Sequence, residues 1–192
     1  MFINTFVKEN KNIFMKNFKV VVVALVMSIA AISCSSDDDN NNNNNNTSNN
    51  VMSISGVESD ISAAVLIEYG VNEDGSYDWD VVLLGEGLTV DNQDLDGSGA
   101  TLYLDLNTNN PDGLMAGTYT FSPNYEREEF TWVAIEGCQN SEGLDCQSGF
   151  SNGQDGTVVI TGSGSNTTIE VIVTDTDGDN ISANYTGGFI SL

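Results

Sequence analysis

The chain has 192 residues, of which 28 are acidic and only 5 are basic, and it contains no histidine. Its net charge of −23 excludes nucleic acid as a partner, because phosphate backbones are bound through Lys and Arg. The lack of histidine also excludes catalytic triads with a histidine base and metal centres built on imidazole.

The chain begins with the features of an exported lipoprotein. Residues Val20–Ile32 form an apolar run behind two lysines, too short for a membrane-spanning helix of about 20 residues but typical of a secretory signal. The run ends in Ala31-Ile32-Ser33-Cys34, which resembles a bacterial lipobox. We therefore predict a lipoprotein signal peptide over residues 1–33, with Met15 as an alternative start, and a lipid on Cys34. The alternative is an ordinary secretory signal followed by a chance or structural cysteine.

Residues 34–50 follow as a segment rich in Asp and Asn, with no apolar side chain after Cys34. Such a composition cannot bury a core, so we predict a disordered tether that extends on the order of 20 Å. Cleavage before Cys34 would remove all four lysines and one glutamate, which leaves 27 acidic residues against Arg127. That charge favours cations or cationic partners, while solvation outside the cell is the simpler explanation.

Residues 51–192 are predicted to form one acidic β domain. Short β-branched and aromatic runs alternate with Gly, Asn and Asp clusters, as in antiparallel strands joined by hairpins with Asp-Gly turns. The sequence thus predicts an all-β fold, either an antiparallel β-sandwich or a small barrel of eight or nine strands. The predicted strands are residues 62–70, 77–85, 100–107, 117–122, 130–136, 156–162, 167–174, 180–187 and 188–192, with turns at 72–76 and 175–180.

The clearest alternation lies in the third of these strands. Leu102, Leu104 and Leu106 should line one face of it, because side chains of a strand point to opposite faces in turn. Tyr103 and Asp105 should line the other face.

Several turn and strand motifs carry a family resemblance. Ser36-Asp37-Asp38-Asp39 resembles the export signal of surface lipoproteins of the Bacteroidetes. The spacing of turn glycines and apolar residues over most of Leu83–Leu192 is similar to the domains of those proteins. The resemblance implies a β-rich domain at the outer face of the outer membrane, and it brings no functional residues with it. The motifs are Gly97-Ser98-Gly99 before LYLDLNT, Ala116-Gly117-Thr118-Tyr119-Thr120, DGTVVITGSG and Tyr185-Thr186-Gly187.

Cys138 and Cys146 are the two cysteines that remain after Cys34. We predict a disulfide between them, because disulfides persist outside the cytosol. It would close a short loop and contribute about 2–3 kcal/mol. A zinc site is a poor alternative with two thiols and no histidine.

Two acidic segments are candidate calcium sites. Asn92, Asp94 and Asp96 place oxygen ligands at alternate positions before a glycine, as in the first half of an EF-hand loop. Tyr103 stands where the bidentate glutamate would be, so any site there would be completed by carbonyl groups, and an acidic inter-strand loop is the alternative. Asp175, Asp177 and Asp179 look similar, but a hairpin turn explains their Asp-Gly sequence better.

Carboxylate pairs are the remaining catalytic candidates. Glycoside hydrolases use two carboxylates roughly 5–10 Å apart. Asp78 and Asp80 share one face of a predicted strand. Among 27 acids such pairs arise by chance, so hydrolysis is the weakest of the functions considered. A second group of candidates surrounds Arg127 in the sequence and consists of Glu126, Glu128 and Glu129.

Tyr77 and Trp79 are candidate ligand-binding residues. They share one face of a predicted strand beside carboxylates, an arrangement suited to stacking on a sugar ring. The alternative is that Trp79 faces the core and the neighbouring acids mark the solvent side. Trp132 presents the same two alternatives.

We thus expect a lipoprotein of the outer membrane that faces the cell exterior, with a β domain that serves as a non-catalytic binding or accessory module. Its expected partners are the membrane, through the lipid, and a glycan or an outer-membrane protein, with nutrient uptake as one setting. No cofactor is expected apart from the candidate calcium. One alternative is a structural or adhesive surface protein whose stability depends on cations, and another is a carboxylate-based glycoside hydrolase.

The lipid anchor is directly testable through Cys34. We expect Cys34→Ala to abolish acylation and to move the protein into the aqueous phase of a detergent partition, because acyl chains provide the membrane affinity. A Cys138→Ala variant, which also loses one thiol, should stay in the detergent phase. Acylation that persists in Cys34→Ala would contradict the anchor.

Overall fold

The computed structural model describes residues 50–192, whose regular secondary structure is almost entirely β-strand. The predictions for residues 1–33, for Cys34 and for the tether up to residue 49 lie outside the described residues. One 3-10 turn, Gly164–Asn166, interrupts the strands. The strands are β1 Val51–Ile54, β2 Val57–Val71, β3 Tyr77–Gly85, β4 Leu88–Asp91, β5 Asp94–Thr108, β6 Gly117–Phe121, β7 Thr131–Glu142, β8 Asp145–Thr161, β9 Thr167–Asp175, β10 Asn180–Gly187 and β11 Ile190–Ser191.

Eight of the strands pair in a closed ring. Each neighbouring pair in the order β1, β2, β3, β5, β7, β8, β9, β10 is antiparallel, and β10 pairs with β1 to close the circuit. The order along the ring is the order along the chain, so most connections are hairpins. The predicted all-β fold is therefore confirmed, and of the two predicted architectures the ring of pairs corresponds to the barrel.

Three short strands stand outside the ring. β4 pairs with β5, β6 lies between β7 and β8 at one end, and β11 runs parallel to β2. All nine predicted strands are present. β1 and β4 were not predicted; each has only four residues, too few to show a clear period of two.

The inner face of the ring forms the main core. Leu102, Leu104 and Leu106 are fully buried there, as their alternation predicted. Tyr119 and Trp132 fill the interior with them, and the Trp132 indole N–H donates to the carbonyl of Gly156 at 3.3 Å. Trp132 therefore faces the core. An eight-stranded ring has an interior of about the size that such side chains fill.

A smaller apolar cluster covers part of the outer face. Val65 of β2 and Val82 and Leu84 of β3 pack with Leu88, which the β4–β5 hairpin folds over them. β3 is consequently buried on both faces from Trp79 to its end. This explains why its sequence, DVVLLG, lacks the alternation of a strand with one wet face.

The structure joins Cys138 of β7 to Cys146 of β8. Their sulfur atoms lie 1.98 Å apart and their Cα atoms 5.7 Å apart, and the two residues are 8 positions apart in the sequence. The bridge spans the β7–β8 hairpin near its tip, where the two strands pair up to Glu142 and Asp145.

Removal of core volume should destabilise the domain strongly. Leu104→Ala is expected to lower the free energy of unfolding by about 2–5 kcal/mol, because it leaves a cavity inside the ring. Thr118→Ala, at an exposed position of β6, is the matched control and should change it by less than about 0.5 kcal/mol. Urea unfolding of both variants measures the difference, and equal midpoints would contradict the filled interior.

Candidate functional site

Strand register brings three aspartates together on the outer face of the ring. Asp80 of β3 lies directly opposite Asp105 of β5, and Asp78 is two residues before Asp80 on the same face. Carboxylate oxygens of the three residues lie within 4.8 Å of one another. We call Asp78, Asp80 and Asp105 the acid cluster.

The acid cluster is buried, which corrects the expectation that the acids beside Trp79 mark the solvent side. Asp80 is 2% exposed and Asp105 is 5% exposed. That expectation assumed one buried and one wet face, but Trp79 is also buried, on the opposite side of β3. Both faces of β3 are covered, so the burial of a tryptophan on one face says nothing about solvent at the other.

Arg127 neutralises part of this buried charge. Its guanidinium donates through Nη1 and Nη2 to the two carboxylate oxygens of Asp105, at 3.0 and 2.8 Å, and Nη1 also donates to Oδ2 of Asp78. Fork-like pairing of this kind is among the stronger hydrogen-bond geometries in proteins. Glu126, Glu128 and Glu129, predicted as candidates beside Arg127, are exposed, and only the arginine of that segment reaches the cluster.

The segment between β6 and β7 that carries Arg127 is held by hydrogen bonds at Arg127 and at Phe130. The Ser76 hydroxyl donates to the carbonyl of Arg127, and the Phe130 amide donates to the carbonyl of Asn107 at 2.8 Å. Phe130 adopts a φ of 58° and packs edge-on against Tyr119 at 5.4 Å between ring centres. The loop position is therefore set by the ends of β3 and β5.

Burial dominates the electrostatics of the acid cluster. It raises the pKa of Asp80 well above its ordinary value, and the neighbouring charge of Asp105 raises it further. The pKa of Asp105 is raised to about 7, first by burial and then by the charge of Asp78, although Arg127 opposes both. Burial also raises the pKa of Asp78 against the opposing effect of Arg127. Three carboxylates therefore lie near one guanidinium, which donates hydrogen bonds to two of them, Asp78 and Asp105.

Two tyrosines border the acid cluster. The Tyr103 hydroxyl is hydrogen-bonded to Asp80, and burial followed by the charge of Asp80 raises its pKa well above the ordinary value. Tyr69 of β2 is 47% exposed, and half-burial together with the charges of the cluster raises its pKa to about 12. Tyr69 thus adds a half-exposed aromatic ring to the edge of the acid cluster.

One oxygen of the acid cluster has no hydrogen-bond partner. Oδ1 of Asp78 is the single such buried side-chain atom among residues 50–192. The spacing of the three carboxylates would suit a cation, but the guanidinium of Arg127 already supplies one. We therefore do not assign the cluster as a metal centre.

The segment that contains the candidate calcium ligands forms a hairpin. Asp94 and Asp96 lie in strand β5, opposite Asp91 and Thr89 of β4, and Asn92 forms the turn with a φ of 48°. An oxygen of each aspartate accepts the next backbone amide, at 3.1 and 2.8 Å. The structure thus places Asn92 in the turn of the hairpin and Asp94 and Asp96 in the strand that follows, where the alternative from the sequence was an acidic inter-strand loop. A calcium site completed by carbonyl groups stays a prediction.

The second acidic segment is a hairpin turn, the alternative that the sequence favoured. Oδ1 of Asp175 accepts the amides of Asp177 and Asp179, each at 2.9 Å, and Oδ2 accepts the Ser151 hydroxyl. These hydrogen bonds lower the pKa of Asp175. Its side chain is thereby committed to the β9–β10 turn.

The predicted aromatic pair does not offer an open stacking surface. Trp79 is 7% exposed and donates its indole N–H to the carbonyl of Asn110 at 3.2 Å, while Tyr77 is half-buried. Sequence reasoning missed Tyr69 and the union of Asp105 with Asp78 and Asp80. The alternation already placed Asp105 on the face away from the leucines, and the pairing register of β3 with β5 was the missing information.

The chain matches no protein-family model, and comparison with curated proteins and with solved structures found no match for it. In residues 50–192 there is no helix of sufficient length and apolarity to span a membrane.

Loss of the guanidinium should destabilise the domain in a pH-dependent way. Arg127→Met would leave the buried carboxylates without their cation, and we expect a loss of roughly 1–3 kcal/mol at pH 8, reduced because the arginine is partly exposed. The loss should shrink at pH 5, where Asp105, with its pKa near 7, is neutral in either protein.

Arg127→Lys is the matched control for charge, and it should recover only part of the loss because lysine lacks the planar fork. Urea unfolding at both pH values provides the comparison. A loss of equal size at pH 5 and pH 8 would show that Arg127 contributes by packing and not through the acid cluster.

Proposed function

We propose that this chain is a lipoprotein anchored through Cys34 at the outer face of the outer membrane, and that its β domain is a non-catalytic binding or accessory module. The leader that ends at Cys34 and the Ser36-Asp37-Asp38-Asp39 segment support the location. The closure of the acid cluster by Arg127 is the observation that supports binding over catalysis.

A glycosidase needs two carboxylates that can reach a sugar and a water molecule. In the acid cluster, Asp80 and Asp105 are 2% and 5% exposed, and both oxygens of Asp105 accept from Arg127. Two surface pockets, one lined in part by Asn140 and the other in part by Ile172, include none of the cluster residues in their lining. These two carboxylates are thus buried, and Asp105 is hydrogen-bonded to Arg127, so they are poorly placed to reach a sugar and a water molecule.

The exposed edge of the acid cluster favours a neutral, hydroxyl-rich ligand. Tyr69 offers a half-exposed ring, while the side chains of Arg127 and Asp78 are 34% and 15% exposed. An aromatic surface with a few fixed polar groups is the usual composition of a small-ligand site. An anionic ligand would be repelled by a domain with 24 acidic residues, so a neutral glycan is the class that fits best.

Glycan binding by the full-length chain in detergent tests this function. We expect the wild type to bind neutral oligosaccharides on an array, and Tyr69→Ala to weaken that binding at least about tenfold, a loss of about 1.4 kcal/mol. Phe150→Ala is the matched control, because Phe150 is 51% exposed on β8, two strands away from β5. Absence of binding by the wild type, or equal losses in both variants, would contradict the proposed site.

A second measurement separates binding from hydrolysis. We expect no release of reducing sugar from any oligosaccharide that the wild type binds. Release that disappears in Asp105→Asn but persists in Asp96→Asn would establish the hydrolase alternative instead.

A further inference from the structure

The acid cluster has more negative charge than its surroundings can neutralise. Asp78, Asp80 and Asp105 approach within 4.8 Å, and Arg127 is the one basic residue in the described part of the chain. Like charges directly opposite each other in paired strands are destabilising, and Asp80 faces Asp105 in this way. Burial makes each uncompensated charge more costly still.

The hydrogen bonds indicate which carboxylate is the surplus one. Both oxygens of Asp105 and one oxygen of Asp78 accept from Arg127. Asp80 has no hydrogen bond to the guanidinium, is the most buried of the three, and has the Tyr103 hydroxyl as its partner. Of the three, Asp80 is therefore the residue that gains least from being ionised.

We infer that the acid cluster is a proton-binding site in which Asp80 is a neutral carboxylic acid at neutral pH, and that loss of this proton sets an alkaline limit on the stability of the domain. The groups that face Asp80 are Asp78 from its own strand, Tyr103 and Asp105 from β5, Tyr69 from β2 and Arg127 from the β6–β7 segment. On β7, the residue opposite Asp105 is Ala134, which carries no charge.

The direction of the pH effect follows from linkage. The pKa of Asp80 is raised in the folded state, so its contribution to stability is fully present below the unfolded pKa of about 4. That contribution is lost progressively as the pH rises through the folded pKa. The expected trend is opposite to that of a salt-bridged aspartate, whose contribution is lost on acidification.

Thermal unfolding of the full-length chain in detergent between pH 4 and pH 9 tests the inference. We expect Asp80→Asn, which keeps the shape and cannot ionise, to raise the melting temperature relative to wild type by an amount that grows with pH, reaching at least roughly 5 °C at pH 9. Asp96→Asn removes an exposed charge from β5 outside the cluster, and its difference from wild type should stay small throughout.

Infrared spectroscopy detects the proton directly and does not depend on a variant that folds. Wild type at pH 7 should show a carboxylic acid carbonyl band that shifts in D2O, unlike the esters of a lipid anchor. Asp80→Asn should show a weaker band, because only the part that Asp105 contributes with its pKa of about 7 remains. A band of equal strength in the two proteins would contradict the assignment to Asp80. Tyr103→Phe removes a hydrogen bond that lowers the pKa of Asp80, so the band should persist to higher pH. Absence of the band from wild type at pH 7, or the same melting-temperature difference for Asp80→Asn at every pH, would overturn the inference.

Discussion

Closure of the strand ring is the constraint on which the rest of this domain depends. β1 pairs with β2 on one side and with β10 on the other, so the first and last strands of the ring meet and no ring strand is left without a partner. Closure fixes which side of every strand faces inward. The leucines of β5 fill the interior, and whatever alternates with them must lie outside.

Ring closure also determines which residues lie on the outer face of β2, β3 and β5. A second apolar cluster and the segment around Arg127 cover that face, so the residues that alternate with the core are themselves buried. Valines and leucines occupy one half, and the acid cluster occupies the other. The acids are therefore held by the same register that packs the core, and a one-residue slip of β3 would displace both.

Most of the fold could be predicted from the sequence because alternation and Asp-Gly turns are local signals. The β4–β5 hairpin could not, because Asn92 and Gln93 form its turn with positive φ and no glycine marks it. Its aspartates then resembled a calcium loop. Alternation placed Asp80 and Asp105 each on one face of its strand, but whether the two lie side by side depends on how the strands pair. The contact between Arg127 and Asp105 joins residues 22 apart in the sequence.

Buried ion pairs are often no more stabilising than apolar residues of the same volume. Stability alone is therefore a weak reason for placing three carboxylates and the single arginine of residues 50–192 on one face. A better reason is that these contacts fix how the strands align. The guanidinium of Arg127 pairs with Asp105 and also reaches Asp78, which requires one alignment of β3, β5 and the Arg127 segment. Arg127 is the one basic residue of residues 50–192, so the remaining acids of the domain have no guanidinium of their own. Tyr69 reaches the surface beside the acid cluster and Arg127, whose positions are fixed by their hydrogen bonds. This is the face that a ligand would contact under the proposed function.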